Sequence, residues 1–269
     1  MNNIPEFYTS AITAKYPNAQ NLRTPTICGT KQNVIFADIN NKTHVFKFGN
    51  PAIIKKNAAI SKTYLDFGIP VPRITMEQHQ DLFFEEYEVL AGKTLFEAIN
   101  EGMPEDKIKH IYREILKNIA KMQLILPYAL RNQQNNSIHL VAREHVTNVN
   151  NAVLGNICMA LIYIVNLGKQ QDTAVLHSDI TPKNVVVSSD GHLVGFLDLD
   201  SVAVANINYT FGAMASKYQQ MGFDISELCD YFEKISNTKL NRKRIFAIAT
   251  ANNFAKKILW KHSQTKQKQ

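Results

Sequence analysis

Residues 185–198, VVVSSDGHLVGFLD, leave the backbone few choices. Two runs of β-branched and apolar residues flank the turn former SSDG, a pattern that predicts a β-hairpin. Any tight turn within residues 188–192 sets Asn184 across from a residue within one or two positions of Asp198. The ribbon therefore brings an amide oxygen and a carboxylate to one open end. Asp179 lies five residues before Asn184, on the loop that enters the ribbon. Carboxylates beside such apolar strands are costly unless something pairs with them, so a charged partner or ligand is expected there.

The residue types suggest which ligand. Asn and Asp offer hard oxygen donors, the kind Mg²⁺ takes when substrate phosphates also hold it. Asp179 is close enough to accept a proton from an attacking hydroxyl. One carboxylate orienting a nucleophile, with metal ligands beside it to neutralise phosphates, is the layout of phosphoryl transfer.

The rest of the chain is compatible with a folded scaffold around that site. With 269 residues, 45% hydrophobic and 20% charged, it needs no disulfide or metal staple. Cys28, Cys158 and Cys229 are far apart with no C-x-x-C pair, which argues against a zinc knuckle or a disulfide framework and for a reducing cytoplasm. The N-terminus lacks a basic start followed by an apolar run, so no secretory signal is expected. AVLGNICMALIYIVNLG (152–168) is shorter than a bilayer requires and is interrupted by Asn156 and Asn166, so it reads as a buried helix and no membrane span is expected. The net charge of +7 is concentrated in NRKR (241–244) and the last fourteen residues. Aromatics do not interleave with those basic residues, so no nucleic-acid partner is expected.

Hydrophobic period divides the chain in two. NVIFADI (33–39) and HVFKFG (44–49) flank NNKT and predict a hairpin, a helix follows Pro51 and closes near Gly68, and DLFFEEYEVL (81–90) reads as a further strand ended by Gly92. From Pro104 an amphipathic helix carries Ile108, Ile111, Ile115, Ile119, Met122 and Ile125 on one face, and the sequence from about Phe211 onward reads as largely helical. The expected fold class is α+β, with a small β-rich lobe over 1–90 and a larger, mostly helical lobe over 91–269.

HSDITPKN (177–184) fits the H-x-D-x-x-x-x-N catalytic loop of protein-kinase-like folds, and Asp198 in GFLDLD stands where their second metal-binding acid sits. The wording resembles the aminoglycoside phosphotransferase and choline kinase branch, because Thr181 stands where eukaryotic protein kinases usually carry a Lys. The resemblance implies ATP as phosphate donor, Mg²⁺ held by Asn184 and Asp198, Asp179 as catalytic base, and His177 in a structural role. It further implies that Lys47 on the second hairpin strand pairs with phosphates, that Gly29, Thr30 and Asn33 form the phosphate-covering loop, and that main-chain groups near Glu88 and Leu90 meet the adenine. The acceptor would be a hydroxyl of a small molecule: an aminoglycoside, an amino alcohol or a sugar. The alternatives are a kinase-like protein acting on proteins, and a weakly active nucleotide-binding pseudokinase.

One departure from the family pattern stands out. The helix before GIPVP usually carries a Glu that pairs with the strand Lys, and the matching position here is Asn57. Lys47 must find another partner, either Asp198 or the phosphates themselves. An unpaired buried ammonium would tend to lose its proton.

Overall fold

The computed structural model describes residues 4–25, 33–125, 173–177 and 179–250. The expectations for Cys28, Gly29, Thr30, the 152–168 helix with Cys158 and the last fourteen residues lie outside these residues.

The chain starts with helix α1 (Glu6–Lys15), followed by strands β1 (Gln20–Arg23), β2 (Val34–Ile39) and β3 (Lys42–Phe48). Asn40 and Asn41, both at positive φ (50° and 66°), join β2 to β3 as the two-residue turn that matches the twist of a hairpin. Helix α2 (Pro51–Asp66) begins where Asn50 accepts the Ala52 N–H at 2.8 Å and Pro51 fills a position that needs no donor. Strands β4 (Thr75–His79) and β5 (Leu82–Glu88) complete an antiparallel sheet ordered β1-β2-β3-β5-β4.

Three elements here go beyond the sequence expectation, β1, α1 and β4. α1 buries only Ala11 and Ile12, too little for a clear helical stripe. In β4, residues TMEQH are exposed or half-buried, and pairing with β5 holds them in the sheet. The face of the sheet under α1 forms a small core from Ile12, Ile35, Ala37, Phe46, Phe48 and Phe84.

A short strand β6 (Lys93–Thr94) leads to α3 (Leu95–Asn100) and α4 (Glu105–Gln123). The apolar stripe of α4 is buried from Ile108 through Met122. Strand β7 (Thr173–His177) pairs antiparallel with β10 (Val202–Asn206), and between them lies the ribbon of β8 (Val185–Val187) and β9 (Leu193–Phe196). Gly92 lets the linker cross this ribbon, since a Cβ there would stand 2.3 Å from the Val187 carbonyl oxygen. Helices α5 (Ile207–Gln220) and α6 (Ile225–Ser236) and a helical run over 242–250 follow. The helical region from about Phe211 thus begins four residues earlier, because Thr173–His177 gives β10 a partner.

The fold is therefore α+β, a β-rich first lobe and a largely helical second one. A large core joins α4, α5, α6 and the ribbon, and it continues into α2 through Ile60 and Tyr64. Among the described residues no helix is long and apolar enough to cross a membrane.

Candidate active site

Backbone bonds fix the ribbon at both strands. Val185 faces Phe196, and beyond that pair the Leu197 N–H donates to the Asn184 carbonyl at 2.8 Å. His177 is fully buried, and its Nε2 donates to the Leu197 carbonyl at 2.7 Å while its Nδ1 accepts the Asp179 N–H at 3.3 Å. Burial keeps this imidazole below its ordinary pKa, a neutral ring with one donor and one acceptor. His177 thereby links the loop carrying Asp179 to the residue preceding Asp198.

Asp198 adopts a left-handed backbone (φ 59°, ψ 62°), a conformation Asp tolerates better than most residues. The chain reverses there into a single turn over Leu199–Ser201. At the other strand, Asn184 Nδ2 donates to the Asp179 carboxylate at 2.9 Å and to the Asp179 carbonyl at 3.0 Å. These bonds leave Asn184 Oδ1 uninvolved. Asp179, Asn184 and Asp198 thus converge on one end of the ribbon.

Lys47 comes to the same place from the sheet. Its Nζ lies 2.9 Å from Asp198 Oδ1 and 2.9 Å from Asp200 Oδ2. Of the two partners left open by the sequence, Asp198 is the one seen, and Asp200 joins it. Burial alone would lower the Lys47 pKa, but the fields of Asp198, Asp200 and Glu85 outweigh it and hold the pKa above the ordinary lysine value.

Glu85 and Asn57 complete the nest. Glu85 sits directly across from Lys47 in the β3–β5 ladder, so the two side chains share a face. Asn57 on α2 donates its amide to Glu85 and to Asp200. The acid missing from the helix is therefore present on the neighbouring strand, and the amide bridges two carboxylates where a third would repel both. Burial raises the Glu85 pKa to about 7, against the pull of Lys47 and the Asn57 hydrogen bond. Lys56, the residue before Asn57, donates to the Asp200 carbonyl at 2.9 Å, and burial lowers its pKa. Sequence reasoning missed Glu85. Its signal was the alternation in FFEEYE, which turns Glu85 to the same sheet face as Phe83 and Tyr87.

Other candidates lie nearer the rim. The Asn33 amide donates to the Phe48 carbonyl, and Phe48 N–H returns a bond to the Asn33 carbonyl at 2.9 Å, so this side chain closes the mouth of the β2–β3 hairpin. Glu88 carries an exposed ion pair with Lys42 at 3.0 Å. The Val89 N–H next to it donates to Thr43. Leu90 abuts Gly195, where an added Cβ would stand 2.6 Å from Leu90 Cδ1. Lys183 lies over the Phe96 ring, 5.2 Å from its centroid.

The donor set suits a hard divalent cation, with an amide oxygen on Asn184 that accepts no hydrogen bond among the described residues and a carboxylate on Asp198. Among solved structures the fold is similar to an aminoglycoside-3'-phosphotransferase of type VIII (TM-score 0.65, 12% identity, 91% of this chain and 98% of that one). It is also similar to choline kinase LicA from Streptococcus pneumoniae (TM-score 0.66, 13% identity, 98% and 92%). A spectinomycin phosphotransferase in complex with ADP and spectinomycin matches as well (TM-score 0.67, 13% identity, 95% and 86%). No curated protein matches by sequence. The phosphotransferase enzyme family matches over residues 58–233, a span that includes the C-terminal part of α2, all of α4 and the whole ribbon. This chain belongs to the phosphotransferase enzyme family.

Proposed function

We propose that the protein transfers the γ-phosphate of ATP to a hydroxyl of a small molecule. The observation that carries this reading is the meeting of Asp179, Asn184 and Asp198 at one end of the ribbon, with Lys47 reaching Asp198 from the sheet. Asp179 takes the proton of the acceptor hydroxyl as its oxygen bonds to the γ-phosphorus. The β–γ bridging bond breaks and ADP leaves with the electron pair. Asn184 holds the Asp179 carboxylate in place. Asn184 Oδ1 and Asp198 would hold Mg²⁺, which when bound neutralises phosphate charge.

Lys47 donates to the α- and β-phosphates, exchanging Asp198 for phosphate oxygens while Asp200 and Glu85 keep the ammonium charged. Residues 29–33, with Gly29, Thr30 and Asn33, cover the phosphates, and the main chain at Glu88 and Leu90 meets the base. We assign nucleotide binding to residues 1–90 and acceptor binding to 91–269, in a cytoplasmic protein. The similar structures that hold nucleotide include complexes with ADP and with GDP, so the donor must be tested as well as the acceptor.

The acidic run 223–233 is largely committed within the chain. Asp224 caps α6 through the Ser226 N–H, and Asp230 and Glu233 pair with Arg242. This leaves few carboxylates there for a polycationic acceptor, so amino alcohols and sugars belong beside aminoglycosides in the screen.

The test is acceptor-dependent ADP release, with ATP and Mg²⁺, across a panel of those three classes. One class should stimulate turnover in the wild type and fail to do so in Asp179→Asn. ATP with Mg²⁺ at a hundred times its Kd should also stabilise the fold by about 2.7 kcal/mol. A protein that shows neither the stabilisation nor turnover with any acceptor sinks the proposal.

A further inference from the structure

On the outer side of the ribbon, away from Asp179 and Lys47, three side chains converge. His110 and Glu114 stand one turn apart on α4, and the turn between β8 and β9 brings His192 beside them. Glu114 Oε1 lies 3.7 Å from His110 Nε2 and 3.5 Å from His192 Nδ1. One ligand atom from each of the three lies within 4.8 Å of the others, the only such trio among the described residues.

These spacings can be compared with what an ion requires. Zinc bonds nitrogen and oxygen at about 2.0–2.1 Å, so neighbouring ligands of a tetrahedral ion stand about 3.4 Å apart. The two Glu114 spacings are already close to this. The third closes by rotating imidazoles that are exposed and held by no core packing.

The carboxylate is also fixed in orientation. Glu114 Oε2 accepts the Leu193 N–H at 2.7 Å, which leaves Oε1 for the two rings. The second nitrogen of His192 lies 4.0 Å from Asp190, the type of outer carboxylate that orients a ligating histidine. The rings meet edge to face, with centroids 5.2 Å apart and planes at 85°. Gly191, at φ 90°, keeps the turn tight against the Lys107 stem, so His192 is presented from a defined backbone.

We infer that His110, Glu114 and His192 form a binding site for a transition-metal cation of the zinc class, with a fourth position open to water. Two imidazoles and one carboxylate favour Zn²⁺ and Co²⁺ over Mg²⁺, which prefers an all-oxygen shell. An ion there would fasten the turn of the catalytic ribbon to α4, at the end opposite Asn184 and Asp198. The inference is independent of the phosphoryl-transfer reading. Its competitor is a metal-free cluster in which the rings merely pair with Glu114.

Full-length protein, stripped with a chelator, is titrated with Co²⁺ and then Zn²⁺. One equivalent of Co²⁺ should develop the intense visible bands of a four-coordinate ion, yield to Zn²⁺ and resist excess Mg²⁺. The bands should persist in Asp198→Ala, which separates this ion from any cation at the phosphate site. Affinity should fall by about tenfold to a hundredfold or more in His110→Ala and His192→Ala. Zn²⁺ should slow amide exchange at Leu193 in the wild type and in Asp198→Ala, and not in the histidine variants. His110→Gln gives a ligand-free variant of similar size should an alanine variant fold poorly. Absence of the Co²⁺ bands, or bands of unchanged affinity in the histidine variants, overturns the site.

Discussion

Asp179, Asn184 and Asp198 are placed by one loop and one ribbon, within a single short stretch of chain. The Lys47 nest, by contrast, joins β3, α2, β5 and the turn after β9, and its Lys47–Asp200 contact spans 153 residues of sequence. In the first case backbone hydrogen bonds set the side chains, so each residue type is tied to its position. In the second, what must be conserved physically is a sum of charges around an ammonium. An acid can therefore leave the helix at Asn57 and be supplied at Glu85 without emptying the nest. Local geometry fixes identities, whereas long-range electrostatics fixes a balance that several residue choices satisfy.

The contrast predicts unequal responses to mutation. Replacing Asp179 with Asn should lower kcat by about a thousandfold or more while nucleotide affinity changes little, if Asp179 is the proposed base for the acceptor hydroxyl. Comparable loss in nucleotide affinity would instead put Asp179 in the binding half. Gly92→Ala should cost roughly 2–4 kcal/mol in denaturant unfolding, since its Cβ would meet the Val187 carbonyl at the back of the ribbon. An unchanged midpoint would show that the linker can move away freely.

Glu85 supplies the smaller effects. Between the ordinary Glu value of 4.5 and about 7, folded Glu85 holds a proton that the unfolded chain has released. Stability should therefore fall as pH rises through that window, by roughly 1–3 kcal/mol, and Glu85→Gln should flatten the slope. Identical slopes in the two proteins would contradict a raised Glu85 pKa. In turnover above about pH 7, where Glu85 is ionised, Glu85→Gln should raise KM for the nucleotide by about tenfold, one lost charge interaction with Lys47. Adding Asn57→Glu should restore part of that loss. A double variant worse than the single one would mean that strand and helix positions are not interchangeable.

This difference also explains what could be read from the sequence. The ribbon, its open end and the stripe of α4 were legible because their periodicities are strong and their contacts local. The Lys47 nest was only half legible. Asn57 reads as an absent acid, and nothing local to FFEEYE announces that Glu85 faces Lys47 until β3 and β5 are paired. β4 was hidden for another reason: its polar side chains bury little, and only the ladder to β5 defines it. α1 has the same weakness, with two buried residues and no side-chain cap. His192 sits on the turn of the ribbon, and only the packing of that turn against α4 brings it beside His110 and Glu114.

The back of the ribbon also touches the segment that leaves α2. The Phe196 N–H donates to the Pro70 carbonyl at 3.0 Å, and Gly195 lies flat against Pro70 and Leu90. A stitch at this point makes a fulcrum. Breathing between the sheet and the helices is then expected to rock about Pro70, so the mouth would widen on the Lys47 side while the rear stays shut. Deuterium uptake at Phe196 is then expected to stay low with and without nucleotide, however far the front swings.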